Sequence, residues 1–166
     1  RFIKEPLKDS DAINKRLEAV ETLVDLPVNR ANIVSSLKHV YDFERLTARI
    51  ASMRANGKDL IALKTTIREL PSIKDELCNI DTPLLNEIYS SLDDFSELEA
   101  LIENSIVEEP PFTITDGDLI KPGYSEELDS LKLSIKDAKE WITGLETREK
   151  ERTGIKNLKV GFNKVF

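Results

Sequence analysis

The side chains able to do chemistry are few and scattered. Of 166 residues one is histidine, His39, and one is cysteine, Cys78, whereas a zinc site takes about four such ligands at short spacing. The two fall in separate helical patterns and read as structural residues. Asp93-Asp94 and Glu108-Glu109 are adjacent carboxylates, but successive residues on a helix do not face each other, so neither pair can share a proton or a cation. They read as a solvated helix face and a solvated helix end. The chain has no G-x-x-x-x-G-K-[ST] phosphate loop, no G-x-G-x-x-G and no G-x-S-x-G. No catalytic residue, cofactor-binding residue or metal ligand is assigned.

Charge gives a clearer signal. The chain carries −7 overall, yet residues 147–166 hold six basic side chains (Arg148, Lys150, Arg152, Lys156, Lys159, Lys164) against two acidic ones (Glu149, Glu151), so this tail is +4 and the remainder −11. Glu146 to Lys150 and Glu149 to Arg152 have the i,i+4 and i,i+3 spacings of ion pairs closing a helix end. Lys156, Lys159 and Lys164 lie beyond that end, where a loop or strand can present them to phosphates. No aromatic partner for base stacking is assigned to them, so these three are candidates for DNA-backbone contact and not for base reading.

The elements that position these groups follow from composition and period. A 40% apolar and 33% charged chain with six glycines and seven prolines favours helix. Its longest apolar run, Leu60-Ile61-Ala62-Leu63, is far short of the ~20 residues that cross a bilayer, and no signal-type stretch opens it. A lone cysteine suits a reduced compartment, so the cytoplasm is expected.

Asp9, Ser10 and Asp11 offer cap oxygens before Ile13, Leu17, Val20 and Val24, a stripe that Pro27 stops. Ile33, Leu37 and Val40 form a second pattern. Asp42 caps a third, with Phe43, Leu46, Ile50 and Met53, and Asn56-Gly57 offers its left-handed exit. Asp59 precedes Leu60, Leu63, Ile67 and Leu70, and Pro71 predicts a boundary before a short turn carrying Ile73 and Leu77. Thr82-Pro83 predicts a capped start to one long helix with stripe Leu84, Ile88, Leu92, Phe95, Leu98, Ile102 and Ile106, ended by Pro110-Pro111. Phe112 to Thr115 alternate, turn at Asp116-Gly117 and return through Leu119 and Ile120, as a small β-hairpin would.

Ser125 caps a last helix whose Leu128, Leu131, Ile135, Ala138, Ile142 and Leu145 keep a heptad rhythm. Running to Arg152, it would span about 42 Å at 1.5 Å per residue. Gly154 ends it, and Leu158, Val160 and Phe162 alternate as a C-terminal strand. Phe95, Trp141 and Tyr41, on or beside helical stripes, read as core. The fold class is mainly α: a multi-helical core domain with a long heptad-patterned helix, a small β-hairpin and a C-terminal strand.

The stretch from Arg148, Arg-Glu-Lys-Glu-Arg-Thr-Gly-Ile-Lys-Asn-Leu-Lys-Val-Gly-Phe-Asn-Lys-Val-Phe, resembles bacterial MutS, the DNA mismatch-recognition ATPases. In that family a run R-E-x-T-G-I-x-x-L-K-V-G-[FY]-N-x-V-[FH]-G-Y-Y marks the passage from the core domain into the clamp. The resemblance extends to Arg1-Phe-Ile-Lys-Glu-Pro-Leu, Arg16-Leu-Glu-Ala-Val-Glu, Asp42-Phe-Glu-Arg-Leu-Thr-Ala-Arg-Ile and Leu119-Ile-Lys-Pro-Gly-Tyr-Ser-Glu-Glu-Leu-Asp.

It implies a helical core, or lever, domain over residues 1–152 and the start of the clamp domain, cut short, over 153–166. The implied role is structural: a lever linking the DNA clamp to the ATPase domain, without chemistry of its own. ATP and magnesium belong to the family's ATPase domain, whose Walker A loop is absent here, and the family's Phe-x-Glu mismatch wedge belongs to its N-terminal domain, outside the part this chain resembles. The implied partners are mismatched double-stranded DNA and a second copy of the parent, reached through the parent protein, with weak or no DNA binding by this segment and no membrane.

From the residues alone a second reading stays open, a free-standing helical module whose heptad face binds a partner helix. An apolar strand ending without a partner favours the fragment. In that case the outer turns of the last helix, toward Ile142 and Leu145, and the strand Leu158 to Phe162 are expected to be bare, with the helix from Leu84 to Ile106 covering its base.

Overall fold

The structure is a computed structural model describing residues 5–161. These residues form seven α-helices: α1 (Ser10–Asp25), α2 (Pro27–Leu37), α3 (Phe43–Ala51), α4 (Gly57–Leu77), α5 (Pro83–Ser91), α6 (Ser96–Ser105) and α7 (Glu126–Thr153), with a 3-10 turn at Ile114–Asp116. The chain divides into two compact units, the first ending at Lys121 and the second starting at Pro122.

Side-chain oxygens start several of the helices. Asp9 accepts the Ala12 amide at 3.0 Å, Asp42 that of Arg45 at 3.0 Å, and Ser125 that of Leu128 at 3.3 Å. At α4 the capping is reciprocal: Asn56 accepts the Asp59 N–H at 3.0 Å and the Asp59 carboxylate accepts the Asn56 N–H at 3.0 Å. In the first unit α4 lies at the centre and serves two apolar clusters. Its C-terminal part joins Ile73 and Leu77 to Ala19, Ile80 and Leu85, while its N-terminal part joins Leu63 and Ile67 to Leu46, Ile102 and Ile106. Polar ties add direction: Asn29 and Asn32 of α2 donate to the Glu76 carboxylate at 3.0 and 2.8 Å.

The structure corrects several expectations. Asn56-Gly57 does not close α3 but opens α4; Met53, at a φ of 55°, takes the left-handed position instead. Gly57 is needed there for space, since a Cβ would stand 2.5 Å from both Leu119 Cδ1 and Pro110 Cβ. Pro71 does not end its helix and lies inside a continuous α4, because buried residues on both sides of it belong to the two clusters. Thr82 stands at the N-cap of α5 without a side-chain cap bond and shares a 2.9 Å hydrogen bond with Thr22 of α1.

The long helix expected from Leu84 to Ile106 is two helices. The break falls at 92–95, where Asp94 accepts the Ser96 N–H at 2.8 Å and Lys74 donates to the Leu92 carbonyl at 2.6 Å, giving the backbone an alternative to helix.

The β-hairpin is absent. The Asp116 carboxylate accepts the Thr113 N–H at 3.2 Å and closes a 3-10 turn, and the returning residues pair elsewhere. Val107 N–H donates to the Leu119 carbonyl at 3.1 Å and Lys121 N–H to that of Ser105 at 2.8 Å, leaving one isolated antiparallel bridge, Ile106 with Ile120. The C-terminal strand is not formed over residues 158–161, which have no neighbouring strand among the described residues; Phe162 lies outside them.

Burial also differs from the periodic reading. Leu17, Val20 and Val24 of α1 are well exposed, and the face of α1 turned inward is that of Ala19 and Leu23, continued by Leu26 at its C-cap. Phe95, Trp141 and Tyr41 are exposed and not core. His39 and Cys78 are exposed as well.

Candidate nucleic-acid interface

Gly154 ends α7 as expected: its φ of 72° returns its N–H to the Lys150 carbonyl at 2.9 Å. Beyond the cap, Ile155 N–H donates to Thr153 Oγ1 at 3.4 Å and Leu158 N–H to the Ile155 carbonyl at 3.2 Å. The tail thereby folds back, and Val160 N–H reaches Glu146 Oε2 at 3.1 Å. Lys150 Nζ donates to the other oxygen of Glu146 at 2.6 Å. With Lys150 as the larger influence and the Val160 amide next, the Glu146 carboxyl is held below the ordinary carboxylate range. Arg152 Nε donates to Glu149 Oε2 at 2.8 Å and lowers that carboxyl in the same way.

Both ion pairs read from the spacing are therefore present, and they neutralise Lys150 and Arg152 locally. Lys156 and Lys159 sit on the returning tail, exposed and in no salt bridge among the described residues. Lys164 lies outside the described residues. The arrangement offers point charges to phosphate oxygens on a backbone fixed by the Glu146 contact. Residues 154–161 carry no aromatic side chain, so this described part of the tail suits backbone contact.

The bare part of α7 is not the one expected. Ile142 and Leu145, expected to be uncovered, are half-buried, whereas Leu131 at 55%, Ile135 at 56% and Trp141 at 62% are exposed, and α7 has no buried residue.

Elsewhere, no group of three or more His, Cys, Asp or Glu among the described residues could hold a metal ion. The His39 imidazole lies 3.8 Å from Glu69 Oε1. At the start of α4 the Asn56 N–H is taken by the Asp59 carboxylate and the Asp59 N–H by the Asn56 side-chain oxygen. No helix of the described residues is long and apolar enough to cross a membrane.

A cluster in the first unit was not legible in sequence. Lys64, Arg68 and Lys121 converge on Glu103, and their separations along the chain match no local spacing except that of Lys64 and Arg68, one helical turn apart.

The fold is that of a helical scaffold followed by a long exposed helix and a basic tail. Over residues 1–159 the chain matches the family described as MutS domain III, and it belongs to that family. It is 46% identical over 165 residues to the DNA mismatch repair protein MutS of Desulforamulus reducens and 47% identical over 167 residues to that of Clostridium perfringens. It is 42% identical over 170 residues to that of Methanosarcina barkeri. These alignments cover 99% to 100% of this chain but 18% to 19% of the relatives, so the chain spans about a fifth of their length.

Proposed function

We propose that this chain is the first part of the core, or lever, domain of a cytoplasmic mismatch-recognition ATPase, over residues 1–152, with the beginning of the DNA clamp over 153–166. It binds no nucleotide or metal of its own and does no chemistry. Its task is mechanical: a rigid helix between the DNA clamp and the ATPase domain lets DNA occupancy and nucleotide state bias one another, provided the whole has two discrete arrangements. Mismatched duplex and a second copy are partners of the parent protein. Lys156, Lys159 and Lys164 add sequence-independent contacts to the DNA backbone at the clamp end.

The observation that supports the lever most is α7 itself. It is a 28-residue helix without a buried residue, about 42 Å long at 1.5 Å per residue, between a packed helical body and a basic tail. The test is made in the parent protein, as ATP turnover with and without mismatched duplex. Four Gly-Ser residues inserted after Ser134 interrupt α7 without touching either end. The expected result is unchanged basal turnover with loss of its response to DNA; a full response in the insertion variant rejects the lever.

A further inference from the structure

Glu103 gathers three cations from two parts of the fold. Its Oε2 accepts Lys64 Nζ and Arg68 Nη2 of α4, each at 2.8 Å, and its Oε1 accepts Lys121 Nζ at 3.1 Å. Lys121 Nζ also donates to the Glu103 carbonyl, and Arg68 pairs through Nε with Glu99, one turn earlier on α6. The Lys64 side chain is only 6% exposed, so its ammonium depends on this carboxylate to be tolerated inside the body.

Lys121 is held by its backbone as well. Its N–H donates to the Ser105 carbonyl at 2.8 Å, and the flanking residues are tied by the Val107 to Leu119 bond at 3.1 Å and the Ile106 with Ile120 bridge. Main chain and side chain of one residue are thus both fastened to the end of α6. Lys121 is the last residue of the first unit, and four residues later Ser125 caps α7.

As a source of stability alone, a buried cation on a carboxylate is a poor device, since well-packed apolar residues of the same size do as well or better. What the cluster supplies is direction. Three donors with fixed approaches leave the Glu103 carboxylate one position, and two of its contacts fix Lys121 there.

We infer that Glu103 and Lys121 form the anchor by which the helical body holds the chain that enters α7, and that Lys121 is a positioning residue for the lever. The inference rests on the lever reading proposed above and names the place where load enters it.

The test uses the parent protein and the same turnover assay. Lys121→Met keeps the Lys64, Arg68 and Glu99 pairs and the backbone bonds of residue 121, so the body remains folded. The expected result is unchanged basal turnover, a melting midpoint within about 3 °C of the unsubstituted protein, and at least about a five-fold smaller response to mismatched duplex. If Lys121→Met does not accumulate as folded protein, Glu103→Gln combined with Lys64→Met removes the buried ammonium together with its partner charge, and the same loss is expected.

Loss of response in the folded anchor variant and in the α7 insertion supports the anchor. A full response in the anchor variant alongside loss in the insertion overturns the anchor and leaves the lever standing. A full response in the insertion overturns the lever, and with it the anchor, whatever the anchor variant shows.

Discussion

Glu103 shows how a single carboxylate records its surroundings. Lys64 first and Lys121 next, each by a hydrogen bond, hold its carboxyl at about 2 against an ordinary 4.5. A folded-state value below the unfolded one means that the folded chain binds fewer protons. The carboxylate therefore contributes stability that is complete above pH 4.5 and is lost as pH falls toward 2. Urea midpoints measured in steps across that window should fall in the unsubstituted chain and fall less steeply in Glu103→Gln. Asp59 acts in the same direction in both proteins: burial pushes it up, but the Asn56 N–H and the Arg49 guanidinium outweigh that and keep it low, so the difference between the two curves isolates Glu103. At Gly57 the constraint is steric. A methyl group there meets Pro110 and Leu119 at 2.5 Å, and relieving such an overlap costs about 1–3 kcal/mol. Gly57→Ala should destabilise the chain in urea unfolding, although alanine is elsewhere the better helix former.

Among the elements, α4 departs furthest from its local signals. Proline in a helix interior lacks one hydrogen-bond donor and presses on the carbonyl four residues back, here that of Ile67. The helix continues because Leu63 and Ile67 lie in one apolar cluster and Ile73 and Leu77 in the other; continuity across Pro71 lets one helix fill both. Pro71 itself is exposed, so replacing it removes little packing. Alanine at an interior position is favoured by about 3 kcal/mol, offset by about 0.4–1 kcal/mol because the unfolded chain gains freedom. Pro71→Ala should therefore stabilise the chain by about 2 kcal/mol, read as a higher urea midpoint at unchanged slope. The opposite case is the pair α5 and α6: one apolar stripe runs through Leu84 to Ile106, yet Asp94 and Lys74 satisfy the backbone at residues 92–96 in a non-helical way. Caps are legible at Asp9, Asp42 and Ser125, where the oxygen and its amide are three residues apart, but not at Asn56, which has the same spacing and whose Asn-Gly pair suggests a helix exit. Thr82 was misread because its hydroxyl goes to Thr22, 60 residues away.

For the whole molecule, charge sets the terms of any contact with DNA. A −11 remainder opposes a +4 tail, so the isolated chain should bind duplex weakly and without preference for mismatches. If Lys156, Lys159 and Lys164 each neutralise one phosphate, the logarithmic salt slope is about −2.7, a loss of about 40-fold between 50 and 200 mM salt. Fluorescence anisotropy of labelled duplex should show this dependence, and Lys156→Gln with Lys159→Gln should flatten the slope by about 2. An affinity indifferent to salt speaks against the tail as the contact. The sequence by itself determined the helical class, the extent and caps of α7, the ion pairs at its end and the family, because all of these rest on short-range spacing or on residues compared in order. Tertiary structure alone decided which face of α1 is buried, that α4 runs through Pro71, that residues 105–107 pair with 119–121 instead of forming a hairpin, that the tail folds back onto Glu146, and that Ile142 and Leu145 are half-buried. It alone assembled the cluster on Glu103. Each of these depends on groups distant in the chain satisfying one another's hydrogen bonds or filling one another's volume, and periodicity carries no record of that.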